Sequence, residues 1–150
     1  MALPSDLIDL LAEFDASSVE YLLVGGQAVA LHGAPRFTKD ADLWLRDTPE
    51  NISSAIEALQ RFGAPQGIIE GLRQAAGLDV VWMGMPPQRI DLMLAVPGGD
   101  FERAWKDHVT MALGAEAVRV VSKSELVRLK RASGRAQDLV DAELLDTSSD

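Results

Sequence analysis

At 150 residues with 47% hydrophobic content, the chain has room for one domain around a real core and none for a second full domain. It has no cysteine, which excludes a disulfide scaffold and a thiolate zinc site and makes a reducing, cytoplasmic compartment the expectation. A net charge of −9 argues against general DNA or RNA binding, and no apolar run approaches the roughly 18 residues of a membrane span.

Residues 4–15 carry Leu7, Leu10, Leu11 and Phe14 at helical spacing, with Ser5 or Asp6 able to cap, which predicts an amphipathic helix. Apolar Tyr21 to Val24 predicts a short buried strand, and Gly25-Gly26 a tight turn into a helix over 27–32 that Gly33-Ala34-Pro35 ends. A helix start at a strand end offers unpaired backbone N–H groups, the kind of place where phosphate binds. Residues 40–45 alternate as a strand, with Asp40, Asp42 and Trp44 on one face. Two carboxylates two residues apart on a strand can reach one cation or adjacent cations; a solvated strand face and a plain glycine turn are the ordinary alternatives.

Thr48-Pro49 opens a second helix that Gly63 stops, with Ile52, Ile56 and Leu59 at buried spacing. Residues 64–78, interrupted by Pro65, Gly67, Gly71 and Gly77, predict a mobile connection with at most a short helix. Strands over 80–83 and 89–96, joined by a turn at 84–87, form a hairpin. Asp91 stands in the middle of the second, an apolar segment where an unpaired dry acid costs several kcal/mol. Its partner is either an arginine, Arg36 or Arg89, or a cation shared with Asp40 and Asp42.

A short helix over 101–107 follows, then strands over 108–113 and 117–121. Ser122-x-x-Glu125 is a capping box for a helix over 123–133 that Gly134 ends. A last helix over 135–145 buries Leu139 and Ala142, and residues 146–150 predict a disordered polar tail. Six of the 14 basic residues fall in 119–135 with Glu125 as the only acid there, a basic cluster that by itself fits a solvated, salt-bridged helical hairpin.

Gly25-Gly26 followed by Arg36-x-Thr38-x-Asp40-x-Asp42-Leu43 resembles the signature of the DNA polymerase β type nucleotidyltransferase superfamily. Within it the pattern is most similar to small bacterial minimal nucleotidyltransferases and abortive-infection toxin-like proteins. The resemblance implies an α+β fold, a small mixed β-sheet flanked by helices with a C-terminal helical hairpin, in one nucleotidyltransferase domain. It implies a third carboxylate on a later strand, which RIDLML supplies in Asp91, and carboxylates of Asp40, Asp42 and Asp91 converging within about 6 Å. It also implies two bound Mg2+ or Mn2+ ions with a nucleoside triphosphate, Asp91 serving the ion that activates the acceptor hydroxyl. Gly25, Gly26, Gln27, Arg36 and Thr38 would then hold the nucleotide.

In the toxin-like group a lysine on one helix, an arginine after a glycine turn and an aspartate opening the next helix recur. Lys130, Arg135 and Asp138 match these positions, placing Lys130 near the phosphates. Two departures stand out: Gly26 occupies the position where many members carry a phosphate-binding serine, and the chain lacks the added helical domains of larger members. The acceptor implied is large and supplied from outside, RNA or a partner protein. A regulatory binding module of a toxin–antitoxin pair is the alternative, and antibiotic nucleotidyl transfer is disfavoured because no domain is evident to hold a drug.

Overall fold

The computed structural model describes residues 5–33, 40–85, 89–113 and 115–147. Among the described residues, seven helices and six strands follow one another, beginning α1 (Ser5–Ala16), β1 (Tyr21–Val24), α2 (Gly25–Leu31), β2 (Asp40–Leu45), α3 (Pro49–Phe62) and α4 (Gln66–Gln74). The chain continues through β3 (Val80–Met83), β4 (Arg89–Met93), α5 (Phe101–Lys106), β5 (Val109–Leu113), β6 (Glu116–Val120), α6 (Lys123–Ser133) and α7 (Ala136–Thr147). The strands form one mixed sheet ordered β3-β4-β2-β1-β6-β5. β2 pairs in parallel with β4 and β1 with β6, while β1 with β2, β3 with β4 and β5 with β6 are antiparallel.

Side-chain alternation divides the sheet into two faces. Tyr21, Leu23, Leu43 and Leu92 turn toward a layer of helices in which Phe14 of α1 meets the Tyr21 ring at 5.7 Å and Gly71 of α4 approaches Val81. β1 is buried at all four residues, as expected of a central strand covered on both sides. The opposite face carries Asp42, Trp44 and Asp91. Phe101 of α5 covers Trp44 there with ring centroids 5.2 Å apart, and α6 lies over its other end.

Helix boundaries follow the capping chemistry. Thr48 accepts from the Asn51 N–H at 3.2 Å ahead of Pro49, and Gly63 closes α3 in the left-handed conformation at φ 92°. Ser122 accepts from the Glu125 N–H at 3.2 Å, but the Glu125 carboxylate turns to Arg128 and so supplies only half of a reciprocal box.

Residues 64–78 differ from expectation. Ile69 and Leu72 are buried, and burying that stripe forms a helix, α4, through Gly67 and Gly71. Leu139, expected inside, is 47% exposed, while Ala142 and Leu145 are the buried residues of α7. That helix runs to Thr147, into the segment expected to be a tail.

One buried side chain ties the sheet to α3. Asn51 donates from Nδ2 to the carbonyls of Glu20 and Arg46, both at 2.9 Å, and its Oδ1 accepts from the Glu20 N–H at 2.8 Å. It thereby fixes where β1 begins and β2 ends. Asn51→Leu strands three backbone groups and is expected to lower unfolding free energy by about 2–4 kcal/mol in urea titration. A surface change such as Glu57→Gln should cost under about 0.5 kcal/mol.

Candidate active site

The site lies where β1 hands over to α2. Val24 pairs with Asp42 on β2, and Asp42 in turn pairs with Asp91 on β4. Both acids are half-buried and on one face of the sheet, with Asp40 two residues upstream of Asp42 on that same face. Gly25 has a φ of +72°, and a Cβ added to it would stand 2.1 Å from Asp42 Oδ2. Glycine is required there on both counts, since only it takes this backbone conformation cheaply and only it leaves room for the carboxylate.

Crowding sets the electrostatics. Burial first, then the negative charges of Asp91 and Asp40 and a hydrogen bond shared with Asp91, push the Asp42 carboxyl up from 3.8 to about 7. Arg89 offsets part of the charge: its Nε donates to Asp91 Oδ1 at 2.7 Å and its guanidinium lies 4.9 Å from the centre of the Trp82 ring. Of the two partners expected for Asp91, Arg89 is therefore present.

α6 and α7 close the other side of a cavity of about 390 Å3 lined by Gly25, Asp42, Asp91, Lys130, Arg135 and Asp138, among others. Lys130 is buried and bonded to Asp138 Oδ1 at 3.0 Å and to Asp141 Oδ2 at 3.1 Å. Arg135 Nε donates to Asp138 Oδ2 at 2.9 Å, and Ser133 Oγ donates to the same oxygen. Burial would raise the Asp138 carboxyl, but the bonds from Ser133, Lys130 and Arg135 outweigh it and hold it below the usual range. Lys130 faces the same cavity as Asp42 and favours its ionised form.

The sequence-predicted residues are thus mostly gathered. Gly25, Asp42, Asp91, Lys130, Arg135 and Asp138 share the cavity, with Asp40 beside Asp42. Gly26 and Gln27 lie in the first turn of α2, where the Gln27 side chain is buried and its Oε1 has no hydrogen-bond partner among the described residues. Arg36 and Thr38 lie outside the described residues. Trp82 went unassigned from the sequence; its position opposite Asp91 depends on the hairpin register.

Among the described residues no set of three or more acidic or histidine side chains is gathered to hold a metal ion as it stands. The convergence expected of Asp40, Asp42 and Asp91 is therefore not a preformed cage. The donor chemistry nonetheless fits a hard divalent cation: the neighbouring charges of Asp91 and Asp40 add to burial in raising the proton affinity of Asp42, a repulsion that a cation relieves. Waters and phosphate oxygens would supply the remaining ligands.

No protein-family model matches the sequence, and no curated protein matches it. Solved structures do match. The crystal structure of the lincosamide antibiotic adenylyltransferase LnuA, lincomycin-bound, matches with a TM-score of 0.58 at 16% identity, over 99% of this chain and 99% of that one. An antigenic nucleotidyltransferase-like protein from Paracoccidioides brasiliensis matches with a TM-score of 0.57 at 18% identity, over 97% of this chain and 78% of that one. The chain has the nucleotidyltransferase fold, the α+β architecture expected from the sequence. No helix among the described residues is long and apolar enough to cross a membrane.

Two predictions concern this crowding. The native state holds the Asp42 proton more tightly than the unfolded chain, so the acid's favourable contribution is complete below about pH 3.8 and is lost as pH rises through about 7. In metal-free buffer at pH 8, Asp42→Asn is expected to be more stable than the parent by about 1–3 kcal/mol, and the difference should vanish near pH 4. Gly25→Ala should lower the melting temperature by several degrees, and Asp42→Gly in the same chain should restore part of it by making room.

Proposed function

We propose that the chain is a metal-dependent nucleotidyltransferase that moves a nucleoside monophosphate from a nucleoside triphosphate to an acceptor hydroxyl and releases pyrophosphate. The observation that carries this reading is the pairing of Asp42 with Asp91 beside a glycine that opens a helix, all within one cavity.

The triphosphate belongs at Gly25 and Gly26, where the first N–H groups of α2 face the end of β1. Asp40, Asp42 and Asp91 would hold Mg2+ or Mn2+, which when bound neutralises charge on the phosphates and lowers the acidity threshold of the acceptor hydroxyl. In the transfer the hydroxyl oxygen forms a bond to the α-phosphorus, and the bond from that phosphorus to the bridging oxygen breaks with its electron pair leaving on pyrophosphate. Asp91, farther from Gly25 than Asp42 is, receives the hydroxyl's hydrogen bond and then its proton. Lys130 supplies positive charge on the opposite wall, held in place by Asp138 and Asp141.

The joining of Lys130, Arg135 and Asp138 in one cluster supports a likeness to the abortive-infection toxin-like group and hence a macromolecular acceptor. The match to LnuA bears on the other side. That chain is covered over 99% of its length and is lincomycin-bound, so a chain of this extent is no argument against a small acceptor.

The direct test is to incubate the protein with each of four α-phosphate-labelled triphosphates, magnesium and cell extract, and to identify what becomes labelled. Asp42→Asn and Asp91→Asn are expected to reduce labelling at least 100-fold while keeping the parent circular dichroism spectrum. Calorimetry with magnesium and a nonhydrolysable triphosphate should show binding that Asp91→Ala weakens. Undiminished labelling in both aspartate variants would sink the assignment.

A further inference from the structure

Three register pairs place four residues in one row across four strands: Val24 opposite Asp42, Asp42 opposite Asp91, and Asp91 opposite Trp82. Paired residues project to the same face, and neighbouring strands lie about 4.8 Å apart, so the row runs about 14 Å from the start of α2 to the edge of the sheet. One end is the backbone of Gly25. The middle is the two carboxylates. The far end is an indole on the edge strand β3.

That indole is 54% exposed, and Val80, two residues away on the same face, is 45% exposed and lines the cavity with Asp91. Large apolar side chains on the outer strand of a sheet are costly to leave in water and invite unwanted pairing. Trp82 is also held from behind. Arg89 stacks 4.9 Å from its ring centre while its Nε bonds Asp91, so ring and carboxylate are linked through one guanidinium. Met93, Val96 and Pro97 continue an apolar wall from Val80 into the cavity.

We infer that Trp82 and Val80 form the acceptor subsite, and that the acceptor is a small hydroxyl-bearing molecule with a flat or apolar ring that lies on Trp82 while its hydroxyl reaches Asp91. The inference rests on the nucleotidyl-transfer reading and deepens it. Phosphate at the Gly25 end and a ring at the Trp82 end put the reacting oxygen between them, over the carboxylates. A small molecule fits better than a nucleic acid strand because the row is acidic, the whole chain carries −9, and Lys130, Arg135 and Arg89 are each bonded to an acid. The bond changes are those of the proposed transfer, with the acceptor proton passing to Asp91.

Phenyl β-glucoside and methyl β-glucoside, which differ in carrying or lacking a ring beside the same hydroxyls, serve as probes. With magnesium and labelled ATP, the parent protein is expected to bind and label the phenyl compound at least fivefold better. Trp82→Ala should erase that preference, Trp82→Phe should keep most of it, and both variants should bind the nonhydrolysable triphosphate like the parent.

Equal handling of the two glucosides by the parent overturns the inference, as does a ring preference that survives Trp82→Ala. Trp82-dependent binding of a hexaadenylate with no glucoside preference overturns it in favour of a nucleic acid strand. Trp82-dependent dimerisation in sedimentation, again without glucoside preference, overturns it in favour of edge pairing between copies. A ring preference in a parent protein that binds no triphosphate overturns the acceptor assignment together with the transfer reading, whereas normal triphosphate binding without the preference overturns the acceptor assignment alone.

Discussion

Two carboxylates side by side on adjacent parallel strands, with a glycine pressed against one of them, are the constraint on which this structure turns. The pairing of Asp42 with Asp91 is unfavourable for the fold taken alone, since burial and the Asp91 charge raise the cost of ionising Asp42. Gly25 adds a second constraint, a left-handed backbone at a helix start that only glycine adopts cheaply. Chains keep such features where a ligand later repays them, and on the proposed reading a hard cation with phosphate oxygens would do so by neutralising the acids. The rest of the molecule supplies rigidity. β1 is buried along its length, and Asn51 pins the ends of β1 and β2, so Asp42 and the Val24–Gly25 end of β1 cannot move apart by a slip of register.

The C-terminal hairpin solves the opposite problem. Its basic residues, which from the sequence fit a salt-bridged helical hairpin, are largely neutralised in the fold: Arg128 by Glu125, Lys130 by Asp138 and Asp141, and Arg135 by Asp138. Asp141 and Asp138 are buried, so removing Lys130 would leave acids in a dry environment and would disturb packing as well as charge. A lysine held between two fixed acids is a charge in a defined position rather than a freely rotating one. Its field already reaches Asp42.

What could be read from the sequence was whatever a short local pattern dictates. The acids two apart, the caps at Thr48 and Ser122 and the stripe of α1 each depend on near neighbours along the chain and stand where expected, whereas the glycine pair, expected as a turn before a helix over 27–32, itself opens α2. Long-range determinants were not readable in the same way. α4 forms through two glycines because β3 and α3 offer a surface for Ile69 and Leu72, which local propensity does not record. Leu139 is exposed because α7 turns Asp138 and Asp141 inward to meet Lys130, and that rotation carries Leu139 out. Trp82 escaped for the same reason: only the antiparallel register with β4 sets it beside Asp91.

The order of strands also gives the site a direction. Because β1 lies on one side of β2 and β4 on the other, the helix start and the third acid cannot fall on the same side of Asp42. On the proposed reading, a donor at Gly25 would extend its α-phosphorus along the row, and an acceptor would enter from the β3 side, the edge of the sheet. The chain places an exposed aromatic at that entrance and an ion-paired arginine behind it. On that reading, an exposed ring on the edge strand, aligned to the acids, would serve entry of a second substrate at some expense of stability.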